Sequence, residues 1–476
     1  MGKAEIGIIG LGAMGSNLAL NMLEKGFHIA VYNRENELTD VFIDKASKFS
    51  ERIIAAKTLQ KLIEAILRPR RIFMMITDGK PIDLLIERLK PLLSAEDILM
   101  DGSNSDFRDT QKRSIQLTKI GITFVGIGVS GGTNGARHGP SLMVGGSVEA
   151  YHHVEKILTS ISANYQNHPC CALLGPDGSG HFVKTIHNGI EYANMQMIAD
   201  IYGILRDGFN KKSFEISRFF STWNTGKLNS YLMNITAEIL SAVDPITKDP
   251  IVDVISDIAS QKGTGKRSVI ESQKLSFPMT TTEAAVLIRY LSSHKDEREQ
   301  MQLLFRGNGG ILFKCSDSLI KDLENALYAA KIIAYVQGFL VIAQASEKYH
   351  WNLSIPIIAH IWRAGCIIRS QLLNDIAEIL TENPHKSNIL TIPKIAIKTK
   401  KSIQALRRVV VSCTKYGYPV PSLSAALSYF DSYSQGYGTA NLIQAQRDFF
   451  GSHGFERKDN LPERHGSWGK SYIPLP

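Results

Sequence analysis

Five polar side chains between positions 184 and 192 have the types and the spacing that proton transfer requires. They follow the helical pattern i, i+3, i+4, i+7 and i+8, and they are Lys184, His187, Asn188, Glu191 and Tyr192. On a helix these positions share one face. A buried lysine with a lowered pKa can act as a base, and a nearby carboxyl can act as an acid. The spacing therefore favours Lys184 and Glu191 as a proton-transfer pair, beside groups that bond substrate oxygens.

The same spacing also fits the solvated face of an amphipathic helix. The opposite face is apolar, and the polar face continues into apolar Met195 and Ile198. That continuation predicts that the polar face turns into the protein interior, where polar groups need partners or a function. Spacing alone leaves the functional and the solvated interpretations equally open.

A glycine-rich turn near the N-terminus has the pattern G-x-G-x-x-G, and its residues are Gly10, Leu11, Gly12, Ala13, Met14 and Gly15. It follows an apolar run at 6–9 and precedes a helical pattern. In that context the glycines allow a tight turn and a close approach to a pyrophosphate, which the helix N-terminus stabilises. We therefore predict a dinucleotide-binding site rather than an ordinary strand–helix turn.

The residues after the second apolar run indicate which dinucleotide is bound. An NAD site usually has an acidic residue there, which binds the ribose 2′-hydroxyl. This chain has Asn33 and Arg34 instead. A guanidinium suits a 2′-phosphate, so NADP is favoured. Glu35 leaves NAD open, because its carboxylate would repel the phosphate and could accept from a 2′-hydroxyl.

Two more glycine-rich turns follow predicted strands, at 101–105 and 126–132. Ligands of open α/β sheets bind beyond the carboxyl ends of the strands. Asn104 and the backbone of Ser130, Gly131 and Gly132 are therefore expected to face a bound nicotinamide. Two plain surface turns would have the same composition.

Short apolar runs alternate with helical patterns over residues 4–175, and this alternation predicts the scaffold. The runs at 6–9, 28–32, 72–76, 98–100 and 122–127 are typical of a parallel, doubly wound sheet. Helical periodicity then dominates to about residue 430. We predict an α/β Rossmann-like domain at 1–178, a large all-α domain at 179–432 and an irregular C-terminal tail at 433–476.

Composition excludes several classes of protein. The chain has 476 residues, 44 % of them hydrophobic, and a net charge of +9 that is spread along its length. Without a dense basic block, we expect attraction for anionic metabolites rather than nucleic-acid binding. The most apolar stretch, Ile332 to Ala345, is too short to span a bilayer. We predict that it forms a buried helix and that the protein has no membrane association.

The cysteines indicate a compartment. Their number is odd and they show neither a disulfide framework nor a zinc spacing; they are Cys170, Cys171, Cys315, Cys366 and Cys413. This usage is typical of a reducing environment. The N-terminus has no signal-peptide pattern. We therefore predict a cytoplasmic protein without a metal site.

Ordered motifs through nearly the whole chain resemble the 6-phosphogluconate dehydrogenase family, the decarboxylating enzymes of the pentose phosphate pathway. The motifs are Gly126-x-Gly-Val-Ser-Gly-Gly132, Gly180-His-Phe-Val-Lys-x-x-His-Asn-Gly-Ile-Glu-Tyr192, Lys262-Gly-Thr-Gly-Lys266, Arg363-x-Gly-Cys-Ile-Ile-Arg369 and Leu442-Ile-Gln-Ala-Gln-Arg-Asp448. The resemblance implies a coenzyme domain, a helical domain and a tail that enters the other subunit of a homodimer. Composition alone left the tail either frayed or docked on a partner subunit.

The resemblance also implies a reaction. NADP would accept hydride from C3 of 6-phosphogluconate, and loss of carbon dioxide would give ribulose 5-phosphate. Lys184 would take the 3-hydroxyl proton, and Glu191 would be the acid of the final tautomerisation. A lysine ammonium beside the keto oxygen stabilises the developing charge, so no metal is needed. The sugar acid would be held by Asn104, Ser130, Gly131, Gly132, His187 and Asn188. Its phosphate would be held by Tyr192, Lys262, Thr264 and Arg289, with Arg447 and His453 from the partner subunit.

Three departures from the family's pattern lie at the expected cofactor site. Gly12 stands where the family usually has Ala, and Glu35 where it has Thr or Ser. Ile76, Thr77 and Asp78 replace Val-Lys-Ala after the third predicted strand. Losing a lysine and gaining two carboxylates is expected to weaken the binding of an anionic cofactor. The prediction is therefore NADP, with NAD as the alternative.

Two other functions fit part of the sequence. A 3-hydroxyisobutyrate-type dehydrogenase shares the fingerprint and the Ser-Gly-Gly segment, but it lacks the phosphate-binding residues Arg289, Arg447 and His453. A nucleotide-binding protein without turnover, which binds nucleic acid through its basic surface, conflicts with the presence of Lys184 and Glu191.

Overall fold

In the computed structural model, which describes residues 2–305, 313 and 316–468, the N-terminal part of the chain is built around one eight-stranded sheet. The strands of the sheet are β1 (Ile6–Ile9), β2 (Ile29–Tyr32), β3 (Ile53–Ala55), β4 (Arg71–Met74), β5 (Ile98–Asp101), β6 (Thr123–Ser130), β7 (Ser141–Gly145) and β10 (Cys171–Gly175), and a separate hairpin contains β8 (Asn164–Tyr165) and β9 (His168–Pro169). The strand order is β10-β7-β6-β5-β4-β1-β2-β3.

The helices follow in chain order. They are α1 (Ala13–Glu24), α2 (Asn36–Lys45), α3 (Leu59–Ala65), α4 (Lys80–Leu89), α5 (Phe107–Thr118), α6 (Gly132–His138), α7 (Val148–Ile161), α8 (Ser179–Gly203), α9 (Ser213–Trp223), α10 (Tyr231–Ser241), α11 (Ile251–Val254), α12 (Thr264–Lys274), α13 (Thr280–Ser292), α14 (Lys295–Phe305), α15 (Asp317–Lys348), α16 (Ile355–Ile361), α17 (Gln371–Glu382), α18 (Pro393–Tyr416), α19 (Pro421–Tyr433) and α20 (Ala440–Gly451). The predicted change from an α/β part to a helical part is confirmed.

Alternation of side chains along the strands explains why helices cover both faces of the sheet. Successive residues of a strand point to opposite faces. Ile6 and Ile8 of β1 therefore join one apolar cluster with residues of α1 and α7. Ile9 of β1 and Tyr32 of β2 join the other cluster, with residues of α3 and α4.

The predicted parallel sheet is confirmed, and its topology places the ligand site. The central strands pair in parallel, while β6 and β7 form an antiparallel pair. Strand order reverses at β1, which lies between β2 and β4. Ligands of such sheets bind beyond the carboxyl ends of the strands at this switch point. Residues 10–15 follow β1 and residues 76–78 follow β4, so both lie at that edge.

One predicted turn is wrong, and three strands of the eight-stranded sheet escaped prediction. Strand β6 continues to Ser130, so the glycines at 126 and 128 belong to the strand rather than to a turn. The sequence patterns did not reveal β3, β7 and β10, because β3 has three residues and the other two are short runs that end in glycine.

The predicted buried helix at Ile332 to Ala345 is confirmed and lies in the C-terminal half of α15, although the helix is longer than the apolar stretch indicated. This helix is long and apolar enough to cross a membrane, but 94 % of its most apolar 18-residue window is buried inside the protein. Such burial is typical of the central helix of a domain. Helix α15 packs against both α8 and α18.

The described chain forms two compact units, Met1–Ala426 and Leu427–Pro476. Within the second unit, buried Asp448 on α20 organises the irregular segment that follows the helix. Its carboxylate accepts from Gly454 N, His465 Nδ1, Gly466 N and Trp468 Nε1 at 2.7 to 2.9 Å. These bonds tie the segment at 454–468 to α20.

The cysteines that the structure describes are all free and buried, and they are Cys170, Cys171, Cys366 and Cys413. Cys315 lies outside the described residues. Free buried thiols agree with the predicted reducing environment.

Candidate active site

The N-terminal half of α8 is buried on every side, so its polar face is not a solvated surface. Lys184 and Asn188 are each 7 % exposed and His187 is fully buried. The inward turn predicted from Met195 is wrong, because Met195 is exposed, whereas Ile198 is buried. The polar face of α8 points into the protein at its N-terminal end instead, at Lys184, His187 and Asn188. Polar groups buried in this way need partners or a function.

Close packing against β6 causes this burial. A Cβ atom added to Gly128 would lie 2.4 Å from Cβ of Lys184. A glycine in the strand therefore lets the helix backbone approach the sheet. The glycine-rich segment at 126–132 is thus a contact surface for α8, which brings Lys184 to the carboxyl edge of the sheet.

The two predicted proton carriers have pKa values that are displaced in the useful directions. Burial lowers the pKa of Lys184 from its usual 10.5, and the Glu191 carboxylate opposes this change. Burial raises the pKa of Glu191 from its usual 4.5, opposed by Lys184 and Arg289. A neutral lysine can remove a proton, and a neutral carboxyl can donate one. No hydrogen bond within the described residues occupies Lys184 Nζ.

His187 connects α8 to the end of β6. Its Nε2 lies 3.2 Å from Ser130 Oγ, and its Nδ1 lies 3.2 Å from Asn188 Oδ1. Burial and the nearby Lys184 charge hold the pKa of His187 well below its usual 6.5. The neutral ring then donates from Nδ1 to Asn188 and accepts at Nε2 from the Ser130 hydroxyl. These contacts bring three predicted substrate residues together, next to Gly131 and Gly132 at the start of α6.

The predicted phosphate residues lie around the start of α12. The Arg289 guanidinium stacks on the Tyr192 ring, with its carbon 3.7 Å from the ring centroid. The same ring packs on Gly265, where a Cβ would lie 2.4 Å from it. Thr264 is the first residue of α12, and exposed Lys262 lies two residues before it. The structure thus gathers Tyr192, Arg289 and this turn in one region.

The glycine fingerprint forms a tight turn that leaves room for a ligand. Gly10 has a φ of 98°, and a Cβ on Gly15 would lie 1.9 Å from Gly10 O. A Cβ on Gly12 would meet no atom within 4 Å, so this side of the turn is open. Helix geometry leaves the first amides of α1, at positions 13–15, without intrahelical acceptors. These features fit the pyrophosphate of a dinucleotide.

Glu35 occupies the groups that were predicted to bind a 2′-phosphate. Its Oε1 accepts from Arg34 Nε at 2.7 Å, and its Oε2 accepts from Asn33 Nδ2 at 2.9 Å. The Arg34 guanidinium holds the pKa of Glu35 below its usual 4.5. Asn33 Oδ1 meanwhile accepts from Leu11 N at 2.9 Å, which ties this strand end to the glycine turn. Glu35 therefore competes with a phosphate for Arg34.

The third cofactor segment holds a contact that the sequence did not reveal. Ile76 packs into the core, Thr77 is exposed, and Asp78 forms an ion pair with Arg267 of α12, with 2.7 Å between Oδ2 and Nη2. Arg267 also donates to the backbone oxygen of Asn104, the other predicted residue at this edge. This ion pair was hard to predict from the sequence. Arg267 directly follows the motif at 262–266, but its partner Asp78 is 189 positions away.

Arg447 and His453 lie in the second unit. Arg447 Nη1 donates to Gln444 Oε1 at 3.2 Å, and His453 packs edge-on against Phe450 at 6.1 Å between ring centroids. A cleft of about 400 Å³ in this unit is lined by Gln444, His453, Gly454, Phe455, Glu456 and Arg464. Both residues are exposed at the surface of the tail.

Comparison with known proteins gives consistent matches along the chain. A family model described as the NAD binding domain of 6-phosphogluconate dehydrogenase matches residues 5–175. A second, described as the 6-phosphogluconate dehydrogenase C-terminal domain, matches residues 180–468. Together they cover almost all of the chain.

Individual relatives match over their full length. An NAD(+)-dependent, decarboxylating 6-phosphogluconate dehydrogenase of Bacillus subtilis is 44 % identical over 467 residues, which cover 98 % of this chain and 99 % of that protein. An NADP(+)-dependent, decarboxylating one from the same organism is 41 % identical over 471 residues, which cover 99 % and 100 %. The structure of Plasmodium falciparum 6-phosphogluconate dehydrogenase, solved in its apo form and in complexes with NADP+ and 6-phosphogluconate, is 38 % identical with a TM-score of 0.94, covering 98 % and 100 %.

Proposed function

The chain belongs to the 6-phosphogluconate dehydrogenase family, and we propose that Lys184 and Glu191 perform the proton transfers of its reaction. That reaction is the oxidative decarboxylation of 6-phosphogluconate to ribulose 5-phosphate and carbon dioxide, with reduction of NADP. The observation that supports the proposal is the placement of both groups on one face of α8, where Lys184 is buried and Glu191 is partly exposed. There the pKa of the lysine is lowered and that of the carboxyl is raised.

The side chains divide the chemistry into three proton steps. Bound NADP supplies the hydride acceptor. Neutral Lys184 takes the proton of the 3-hydroxyl as C3 is oxidised. Its ammonium then stabilises the negative charge that develops on the C3 oxygen as carbon dioxide leaves, and it returns a proton to that oxygen to give the enediol. In the final step protonated Glu191 delivers a proton to carbon while neutral Lys184 takes the proton of the enol hydroxyl, which converts the enediol to the ketone.

The remaining residues hold the substrate in position. His187, Asn188 and Ser130 form one hydrogen-bonded group that can bond hydroxyl and carboxylate oxygens, next to Gly131 and Gly132. Asn104 follows β5, the strand adjacent to β6. Tyr192, Lys262, Thr264 and Arg289 surround the start of α12, where cations and a helix N-terminus favour a phosphate dianion.

NADP binding rests on the open turn at 10–15 and on Asn33 and Arg34. Glu35 would compete with a bound 2′-phosphate for Arg34. NAD can use Glu35 directly through its ribose hydroxyl. We therefore propose that the enzyme can use both cofactors and prefers NADP.

The active form is proposed to be a homodimer in which Arg447 and His453 complete the partner's phosphate site. Large apolar side chains are exposed at the end of α14, where Leu303, Leu304 and Phe305 are each more than 70 % exposed. Exposed apolar groups of this kind mark interaction surfaces. The free buried thiols and the metabolic substrate support a cytoplasmic location.

A coupled assay tests the reaction. Absorbance of reduced nicotinamide is followed with 6-phosphogluconate and either NADP or NAD, together with carbon dioxide release. Equal amounts of both products support oxidative decarboxylation, and the ratio of rates measures cofactor preference. A folded protein without turnover would instead support the binding protein considered above.

Complementation tests the shared site. Lys184→Gln and Arg447→Ala variants, each inactive alone, are mixed and allowed to exchange subunits. A mixed dimer contains one site with both native residues, so random exchange restores about a quarter of the native activity. No recovery, with subunit exchange demonstrated, would place Arg447 in its own subunit's site or outside it.

A further inference from the structure

Helix α12 carries two opposite charges one turn apart, and both are paired with the dinucleotide-binding part of the chain. Arg267 Nη2 lies 2.7 Å from Asp78 Oδ2. Glu271, four residues later, accepts from both Nη atoms of Arg108 at 2.5 and 2.6 Å. Positions i and i+4 share one helix face. The face of α12 toward the sheet is thus fixed by two ion pairs of opposite orientation.

Arg267 holds two neighbouring loops at once. Besides Asp78, which follows β4, it binds the backbone oxygen of Asn104, which follows β5. Strands β4 and β5 are adjacent, so these loops lie side by side at the carboxyl edge of the sheet. Arg113 binds the same two loops, donating to Gly79 O at 3.1 Å and to Ser105 Oγ at 3.0 Å.

The other side of α12 contacts α8, the helix that carries Lys184 and Glu191. Ser268 Oγ donates to Thr185 O on α8 at 2.6 Å, next to Lys184. Gly265 packs against the Tyr192 ring. The first turn of α12 therefore touches the proposed phosphate site, while Arg267, in the same turn, reaches the loops that the cofactor uses.

We propose that the Asp78–Arg267 ion pair is a positioning pair that makes the binding of the sugar phosphate and of the dinucleotide mutually dependent. This inference rests on the proposed function of the site. An unpaired Asp78 carboxylate would repel an anionic cofactor, and Arg267 neutralises it while fixing Asn104. A phosphate that orders the first turn of α12 also orders Arg267, and so prepares the cofactor loops. By linkage, the bound cofactor favours the phosphate by the same factor.

Binding of NADPH tests the pair without turnover, because reduced cofactor and 6-phosphogluconate form a dead-end complex. Nicotinamide fluorescence gives the Kd of NADPH alone and with saturating 6-phosphogluconate. We expect the sugar acid to tighten NADPH binding at least about five-fold in the native enzyme. Arg267→Gln and Asp78→Asn are expected to bring the ratio of the two Kd values, without and with 6-phosphogluconate, close to one. Arg267→Lys is expected to give an intermediate ratio, because one ammonium replaces a planar fork that spans two acceptors.

Asp322→Asn is the matched control. Asp322 accepts two bonds from Arg408, at 2.6 and 2.7 Å, and this pair joins α15 to α18 away from the proposed site residues. The control should keep the native ratio of the two Kd values.

Two results would overturn the inference: a native ratio of one, or Arg267 and Asp78 variants that keep the native ratio. The inference would also be overturned if Asp78→Asn changed the affinity for NADPH but kept the native ratio of Kd values. Asp78 would then act only through direct contact with the dinucleotide. A native enzyme that binds NADPH but not 6-phosphogluconate would overturn the proposed function as well.

Discussion

Nδ1 of His187 lies 3.8 Å from Oε2 of Glu191, yet the pair is not a salt bridge in the ordinary sense. Burial and the nearby Lys184 hold the pKa of His187 well below 6.5, so the ring is neutral at physiological pH. The pKa of Glu191 is raised by its own burial. Glu191 therefore has a neutral neighbour on this side and can exist as the carboxylic acid that the last chemical step needs.

Replacing Lys184 with Gln should lower kcat by about 10²- to 10⁴-fold, the usual contribution of a general base. Steady-state assays with saturating NADP measure this loss, and NADPH fluorescence checks that the cofactor still binds. Lys331→Met is the matched control, because Lys331 is also buried but bonds only Ser230 Oγ, at 3.3 Å, in the described structure. A Lys184 variant with near-native kcat would contradict the assignment.

The dependence of kcat on pH should have two limbs. Lys184 must be neutral, so activity is lost as pH falls through its pKa, which lies below 10.5. Glu191 must be protonated, so activity is lost as pH rises through its pKa, which lies above 4.5. Glu191→Gln should lower kcat and remove the alkaline limb. If that limb persists unchanged in the variant, another group is the acid.

Replacing Glu35 with Thr should shift cofactor preference toward NADP. The change frees Arg34 and Asn33 from the carboxylate and removes a negative charge beside the 2′-phosphate. We expect the ratio of kcat/KM for NADP over NAD to rise by up to about five-fold, the upper range for an exposed charge pair. Glu37→Thr, a nearby change on α2, is the control for altered charge. A fall in the ratio would mean that Glu35 assists NADP binding.

Lys331 should destabilise the folded protein at neutral pH. Burial lowers its pKa from 10.5 to about 8, a difference equivalent to roughly 3 kcal/mol. The unfolded chain binds more protons between these pH values, so this penalty is present below pH 8 and disappears as pH rises toward 10.5. Lys331→Met should therefore raise the urea midpoint at pH 7, with a smaller gain at pH 10. An equal gain at both pH values would indicate a packing effect.

Replacing Asp448 with Asn should disorder the tail. Backbone and side-chain donors, first among them Gly466 N, hold the pKa of Asp448 below its usual 3.8. The contribution of its carboxylate is thus present above that value and is lost only as pH falls through the lower pKa of the folded state. The indole N–H resonance of Trp468 should move when its bond to the carboxylate is lost, and KM for 6-phosphogluconate should rise. Asp459→Asn, at a carboxylate paired with Arg457, should leave both unchanged.

Local patterns predicted much of this molecule. The runs at β1, β2, β4 and β5 are apolar on both faces, as strands buried between two helix layers must be. The fingerprint at 10–15 could be recognised from the sequence because it involves only one turn and the helix that follows it. The polar stripe of α8 is a consequence of 3.6 residues per turn. For β6 the pattern was misread, because its glycines serve contact with α8, and a contact across 56 positions leaves no local periodicity.

The sequence by itself determined the α/β and helical parts, the dinucleotide turn and the residues that share a face of α8. Only the tertiary structure decided how these groups behave. Burial lowers the pKa of Lys184 and raises that of Glu191, because desolvation depends on packing from distant segments. The two carboxylates that the sequence marked as harmful to an anionic cofactor, Glu35 and Asp78, are each paired with an arginine. For Asp78 that arginine is Arg267, which folding alone brings to the edge of the sheet.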